Sequence, residues 1–234
     1  MAEISNAGDP SIAAHSQRFF KTGPGEYGEG DVFAGVRVPV VRRICRAYRD
    51  LSLAEIAQVL SSPVHEHRFA ALAILDERAR KAARRADRPA QRELCEFYLA
   101  HRDRVDNWDL VDVSCRDIAG EYLRVTRGED AIRRLARSRR LWDRRIAMIS
   151  TSAWIRAGEL EFPFELAESL LDDDHDLMHK AVGWMLRECG KRDPAALARF
   201  LDKQAGRMPR TALRYAIEHL PQDERKRRLA ASRR

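Results

Sequence analysis

The stretch Asn107-Trp108-Asp109-Leu110-Val111-Asp112 brings an indole, two carboxylates and a helix-capping amide into six positions. With Asn107 as N-cap it opens a helix on which Trp108 and Asp112, four residues apart, share one face. An aromatic ring beside a carboxylate suits a cation. Basic and aromatic residues recur downstream at comparable helical positions, Trp142 with Arg145 and then Lys180, Trp184 and Arg187. Several helices are therefore expected to turn such groups the same way and form a surface.

Each of these residues also has a plainer reading. A tryptophan at helical spacing is most often core, and Trp154, set among Ala153, Ile155 and Ile149, reads that way. Trp108 and Trp184 differ in having basic and polar neighbours. Asp112 is harder to dismiss, because a carboxylate facing a polyanion opposes binding. It either pairs with an arginine such as Arg145 or Arg116, or is kept to stabilise positive charge on a substrate.

The elements that carry these residues are helices. From Val38 onward, apolar residues return at three- and four-residue steps, with Pro or Gly as punctuation. This predicts helices near 39–49, 53–60, 65–85, 90–102, 108–123, 129–137, 142–157, 163–171, 176–191, 194–204, 209–219 and 222–230, with a short one near 11–21. No stretch alternates as a half-buried strand would. Long helices share a related core: Arg68-Phe69-Ala70-Ala71-Leu72, Arg145-Ile146-Ala147-Met148-Ile149, Lys180-Ala181-Val182-Gly183-Trp184 and Arg210-Thr211-Ala212-Leu213-Arg214. With the helix at Trp108 filling the longest gap, the period is about 30–40 residues, the range of HEAT-type helix pairs. The expected fold is all-α: antiparallel helix pairs stacked as a curved solenoid, one domain over residues 1–234 with 1–10 a frayed leader. The recurring cations would then line the concave side as a basic stripe, unless each bridges a carboxylate in the next repeat.

Composition bounds the partners. The chain has 234 residues with 44% apolar content, enough for a continuous core, and a net charge of +7. Only six lysines stand among the 43 basic residues, and an arginine excess favours phosphate contacts. Cys45, Cys95, Cys115 and Cys189 are scattered without a CxxC pair, so neither a zinc ribbon nor a disulfide framework is suggested and reduced core cysteines are expected. The longest apolar run, Phe69 to Leu75, is too short to cross a bilayer, and no signal pattern opens the chain, so a cytoplasmic monomer with no membrane association is expected.

Several motif resemblances fail on physical grounds. Gly23-Pro24-Gly25-Glu26-Tyr27-Gly28 contains GxGxxG, yet no strand precedes it, Pro24 lacks a donor, and Glu26, Glu29 and Asp31 repel phosphate. Tyr27 at its centre either packs or touches a ligand. His175 and His179 lack a third metal ligand. Asp172-Asp173-Asp174-His175-Asp176 begins like a calcium loop but has Leu177 where glycine belongs and Gly183 where glutamate belongs, so a helix cap is expected instead. Nothing marks any hydroxyl or thiol as an activated nucleophile.

Five segments resemble one known family: Phe19 to Asp31, Gly35-Val36-Arg37-Val38-Pro39, Asn107 to Asp112, Leu141-Trp142-Asp143-Arg144-Arg145, and Lys180 to Glu188. Together they resemble the AlkD-type DNA alkylation repair family, the alkylpurine DNA glycosylases built on HEAT-like repeats. The resemblance implies a catalytic aspartate at Asp112, cleft tryptophans at Trp108 and Trp184, an arginine beside them at Arg145, and a DNA-backbone contact at Arg187. Lys180, Arg144 and Tyr27 are further candidates for contact with DNA. It also implies removal of N3- and N7-alkylated purines from duplex DNA without a base-flipping pocket, a metal or an organic cofactor. The competing expectation is a non-catalytic helical-repeat module that binds nucleic acid or protein.

Overall fold

The computed structural model describes residues 1–231. These group into two compact units, one spanning Met1–Tyr122 and the other beginning at Leu123. The first holds α1 (Ala2–Asn6), α2 (Pro10–Phe19), α3 (Val38–Cys45), α4 (Leu53–Leu60), α5 (His65–Arg84), α6 (Arg88–Ala100) and α7 (Trp108–Cys115), and α8 (Glu121–Val125) runs across the division. The second holds α9 (Glu129–Ala136), α10 (Leu141–Ser150), α11 (Ser152–Ala157), α12 (Glu161–Ser169), α13 (Asp176–Arg192), α14 (Pro194–Gln204), α15 (Arg210–Ala216) and α16 (Gln222–Ala231). The all-α expectation holds: among the described residues the only extended pairing is a lone bridge between Val32 and Val64. No described helix is long and apolar enough to cross a membrane.

Local chemistry explains where the helices begin. Asp9 accepts from the Ser11 and Ile12 amides ahead of Pro10 on α2, and Ser52 and Glu55 form a reciprocal capping box on α4. Asp193 followed by Pro194 starts α14. The acidic run before α13 is structural, as the sequence suggests. His175 Nδ1 accepts the Leu177 amide, and Asp173 Oδ2 holds Arg144 at 2.6 Å.

In the first unit α5 is the central element, packed against α3, α4, α6 and α7. Its stretch Phe69–Leu75 is buried, and so, less usually, are His65, Glu66, His67 and Arg68 at its start. In the second unit α13 plays that part between α10, α12, α14 and α15. Gly183 permits the approach of α15, since a Cβ there would lie 2.4 Å from the Ala212 carbonyl oxygen.

The structure departs from expectation in three places. Residues 1–10 include a helix, not a frayed leader: Ile4 of α1 is buried and Ser5 Oγ lies 3.2 Å from His67 Nε2. The helix expected over 108–123 passes through a π-turn at Arg116–Gly120 between α7 and α8. The one expected over 142–157 divides at Thr151, whose hydroxyl bonds back to the Met148 carbonyl.

Candidate active site

The first turn of α7 is anchored from both sides. Asn107 is fully buried; its Oδ1 accepts the Trp108 amide at 2.8 Å, and its Nδ2 donates to Asp31 Oδ2 at 3.2 Å. Asp109 Oδ2 lies 2.8 Å from His65 Nε2, and Asp31 Oδ2 lies 2.7 Å from His65 Nδ1. Asp31 Oδ1 takes Arg68 Nη2 at 2.7 Å, and the same guanidinium donates through Nη1 to the carbonyls of Ser62 and Pro63. One chain of polar contacts thus joins the loop at Asp31, the start of α5 and the start of α7.

The glycine-rich loop serves this arrangement. Its amides are taken by its own carboxylates, Gly23 by Glu26 and Gly25 by Glu29, so they do not form a phosphate cradle. Gly28 sits so close beneath the Phe20 carbonyl that a Cβ would lie 2.5 Å from its oxygen. Farther along, Glu66 accepts the amides of Ala34, Gly35 and Val36. Gly35, at φ 81°, passes where no side chain could, since a Cβ would fall 2.1 Å from the Asp9 oxygen.

Electrostatics follow from burial and partners. Burial works against a charged His65, but bonds to Asp109 and Asp31 outweigh it and raise its pKa to about 9. Burial likewise raises Asp31, while His65 and Arg68 pull it further the other way, to a net value below the usual carboxylate range. Asp106 has its carboxyl raised by burial, with Arg68 pulling it down and Asp31 pushing it up.

Trp108 stands at the end of an aromatic row. Its ring stacks on Phe20 at 5.2 Å and 16°, and meets Phe19 edge-on at 6.0 Å. Phe20 stacks in turn on Phe33, and Phe33 on His65. Trp108 and Asp112, one turn apart on α7, are both half-buried, so this helix presents an indole and a carboxylate at a partly open surface. Tyr27 is half-buried in the loop, its hydroxyl 3.5 Å from the Phe19 carbonyl.

The other expected site residues belong to the second unit. Arg145 on α10 is buried, 4% exposed, and donates to the Leu177 carbonyl at 2.7 Å. Arg144 holds Asp173 and the carbonyls of Ser138 and Arg139. Trp184 is half-buried on α13. Lys180 pairs with Asp176 at 2.8 Å, and Arg187 pairs with Glu218 and Glu188. Lys180, Arg187, Arg214 and Arg225 line a groove of about 460 Å³ together with Asp176 and Glu218. Among the described residues, no group of histidine, cysteine and carboxylate side chains is arranged to hold a metal ion.

Sequence reading missed the parts of Asp31, His65 and Asp109 and the stacking of Phe20. A signal was present: a polar run, His65-Glu66-His67-Arg68, stands directly before the longest apolar run of the chain, Phe69 to Leu75, and such groups are buried only when paired.

A family model described as DNA alkylation repair enzyme matches residues 1–220. A solved structure described as a predicted DNA alkylation repair enzyme from Enterococcus faecalis superposes with a TM-score of 0.68 at 16% identity, covering 92% of this chain and 97% of that one. No curated protein matches the sequence. The resemblance read from five short segments thus extends over nearly the whole length, and the chain belongs to the DNA alkylation repair enzyme family.

Proposed function

We propose that this protein is a DNA glycosylase that removes cationic N3- and N7-alkylated purines from duplex DNA. The observation that supports the reading is that Trp108 and Asp112 stand half-buried, four residues apart, on a helix whose first turn is held by buried polar contacts. Alkylation at N3 or N7 leaves the purine positively charged, so its bond to the sugar is already weakened. As the C1′–N9 bond breaks, its electron pair passes to the purine, which leaves neutral without needing an enzyme acid. Positive charge then collects on the sugar. Asp112 stabilises that charge and orients a water, which adds to C1′ and releases a proton. The indole of Trp108 attracts the cation, an interaction of up to about 2 kcal/mol when desolvated.

In this reading Trp184 and Arg145 also act on the lesion, and Arg187, Lys180, Arg144 and Tyr27 contact the DNA. The high arginine content supports a phosphate-tracking partner. Neither a metal nor an organic cofactor is called for by this chemistry. The test is incubation of the purified protein with methylated duplex DNA, scored by release of free 7-methylguanine and 3-methyladenine. Salt-sensitive DNA binding without any base release would overturn the catalytic reading in favour of a binding module.

A further inference from the structure

Resting on the function proposed above, we infer that His65 is a positioning residue: its ring, clamped between Asp31 and Asp109, fixes Trp108 and Asp112 by donating both ring N–H groups at once. The clamp is tight, with 2.7 Å to one carboxylate and 2.8 Å to the other, and His65 itself is only 3% exposed. An imidazole with a carboxylate oxygen at each nitrogen must carry both protons, because a bare nitrogen would set its lone pair against an anion. The doubly protonated ring is therefore part of the geometry.

The lever runs through α7. Asp109 directly follows Trp108 and precedes Asp112 by less than one turn, so a shift of its carboxylate moves the start of the helix that carries both. Asp31, at the other end of the clamp, also holds the cap residue Asn107. The remaining charged groups around the ring have work of their own. Arg68 is bonded to Asp31 and lies 3.3 Å from Asp106, and Glu66 is spent on three loop amides. His15 of α2 and Arg37 before α3 share with His65 and Asp109 the lining of a cleft of about 710 Å³. Loss of one ring proton, which burial favours and the two aspartates hold off until about pH 9, removes one arm of the clamp.

Two substitutions separate the arms. His65→Gln places a donor where Nε2 was and keeps Asp109; His65→Asn places one where Nδ1 was and keeps Asp31. Single-turnover release of 7-methylguanine should fall about 100-fold in His65→Asn, the scale of a small misplacement of catalytic groups, and by much less in His65→Gln. Wild-type release should decline as pH rises through about 9, a decline absent in His65→Gln. NMR supplies a readout that needs no activity. Two protected His65 ring N–H signals are expected at neutral pH, and the Trp108 indole signal should shift with the loss of one of them. Equal losses in both variants, or a Trp108 signal indifferent to the titration of His65, would overturn the inference even where excision is normal. A Trp108 signal that follows His65 in a protein without glycosylase activity would uphold the positioning and sink the glycosylase reading.

Discussion

Both units tie cations at the start of a largely buried helix to an aspartate in a loop, but they use different cations. In the first, His65 and Arg68 of α5 meet at Asp31, and the chain of contacts continues through His65 to Asp109 on α7. In the second, Arg144 of α10 holds Asp173 and two carbonyls, and Arg145 holds the Leu177 carbonyl. A guanidinium stays charged throughout the accessible pH range, so the second arrangement is a permanent staple. The first includes an imidazole that titrates and ends one residue from Trp108. On the function and positioning role proposed above, the same device stabilises one unit and can adjust the chemistry of the other.

The largest effect expected is on catalysis and comes from a residue of the first unit. Asp112→Asn keeps the shape of the side chain and removes the charge that, on the proposed function, acts as the glycosidic bond breaks, so excision should fall roughly 100- to 1000-fold. DNA affinity should stay the same or rise, because a carboxylate near phosphates opposes binding in the ground state. Single-turnover release of 7-methylguanine, duplex affinity and melting temperature on this one variant decide between a catalytic and a purely structural aspartate. A variant that loses stability together with activity points to the structural role.

Next comes Arg144→Ala, which strands Asp173 without its guanidinium. Breaking such a pair costs roughly 3–5 kcal/mol when fully buried, and somewhat less here because Arg144 is 19% exposed. The loss should be the same at neutral and alkaline pH. Denaturant unfolding at both pH values measures it, and a loss that varied with pH would dissolve the contrast between the two units.

His65 should behave in the opposite way. Its folded pKa, about 9, lies above the ordinary 6.5. The stability it contributes is therefore complete below about 6.5 and lost as pH rises through about 9, on the order of 3 kcal/mol. Unfolding free energies of the wild type should decline over that window and those of His65→Gln should not. Parallel curves would mean that the ring is not held charged in the native state.

Much of this was legible in the sequence and some was not, for separable reasons. The helices, the cap at Asn107 and the core place of Trp154 follow from periodicity and short-range hydrogen bonding, which act within a few residues. Trp108 and Asp112 stood out because both lie on one such helix. The clamp at His65 joins positions 31, 65 and 109, and no local pattern reports a contact of that separation. The π-turn after α7 and the break at Thr151 are equally silent, since each continues an apolar rhythm that an unbroken helix would also satisfy. The short helix at Ala2–Asn6 was hidden because a single buried residue, Ile4, carries it.

The smallest effect expected comes from the middle of α5, and the substitution acts with the opposite sign to that at His65. Asp76 is 5% exposed; burial raises its carboxyl to about 6, against the pull of Arg80, with Asp117 pushing the same way as burial and Arg116 and Arg42 opposing it. An acid whose folded pKa lies above its ordinary value of 3.8 costs the folded state stability once ionised. That cost is absent below about 3.8 and complete above about 6. Asp76→Asn retains an oxygen for Arg80, now 2.9 Å away, and removes the buried charge. The variant should be more stable than wild type at neutral pH by about 1 kcal/mol, a modest figure because the pair reaches solvent through Arg80, 44% exposed, which eases the burial penalty on the charge. The advantage should shrink as the pH is lowered, so thermal melts at neutral and acidic pH provide the check. A less stable variant at neutral pH would show that the pair with Arg80 outweighs burial, and α5 would then contain a permanent staple of the second unit's kind beside its titratable clamp.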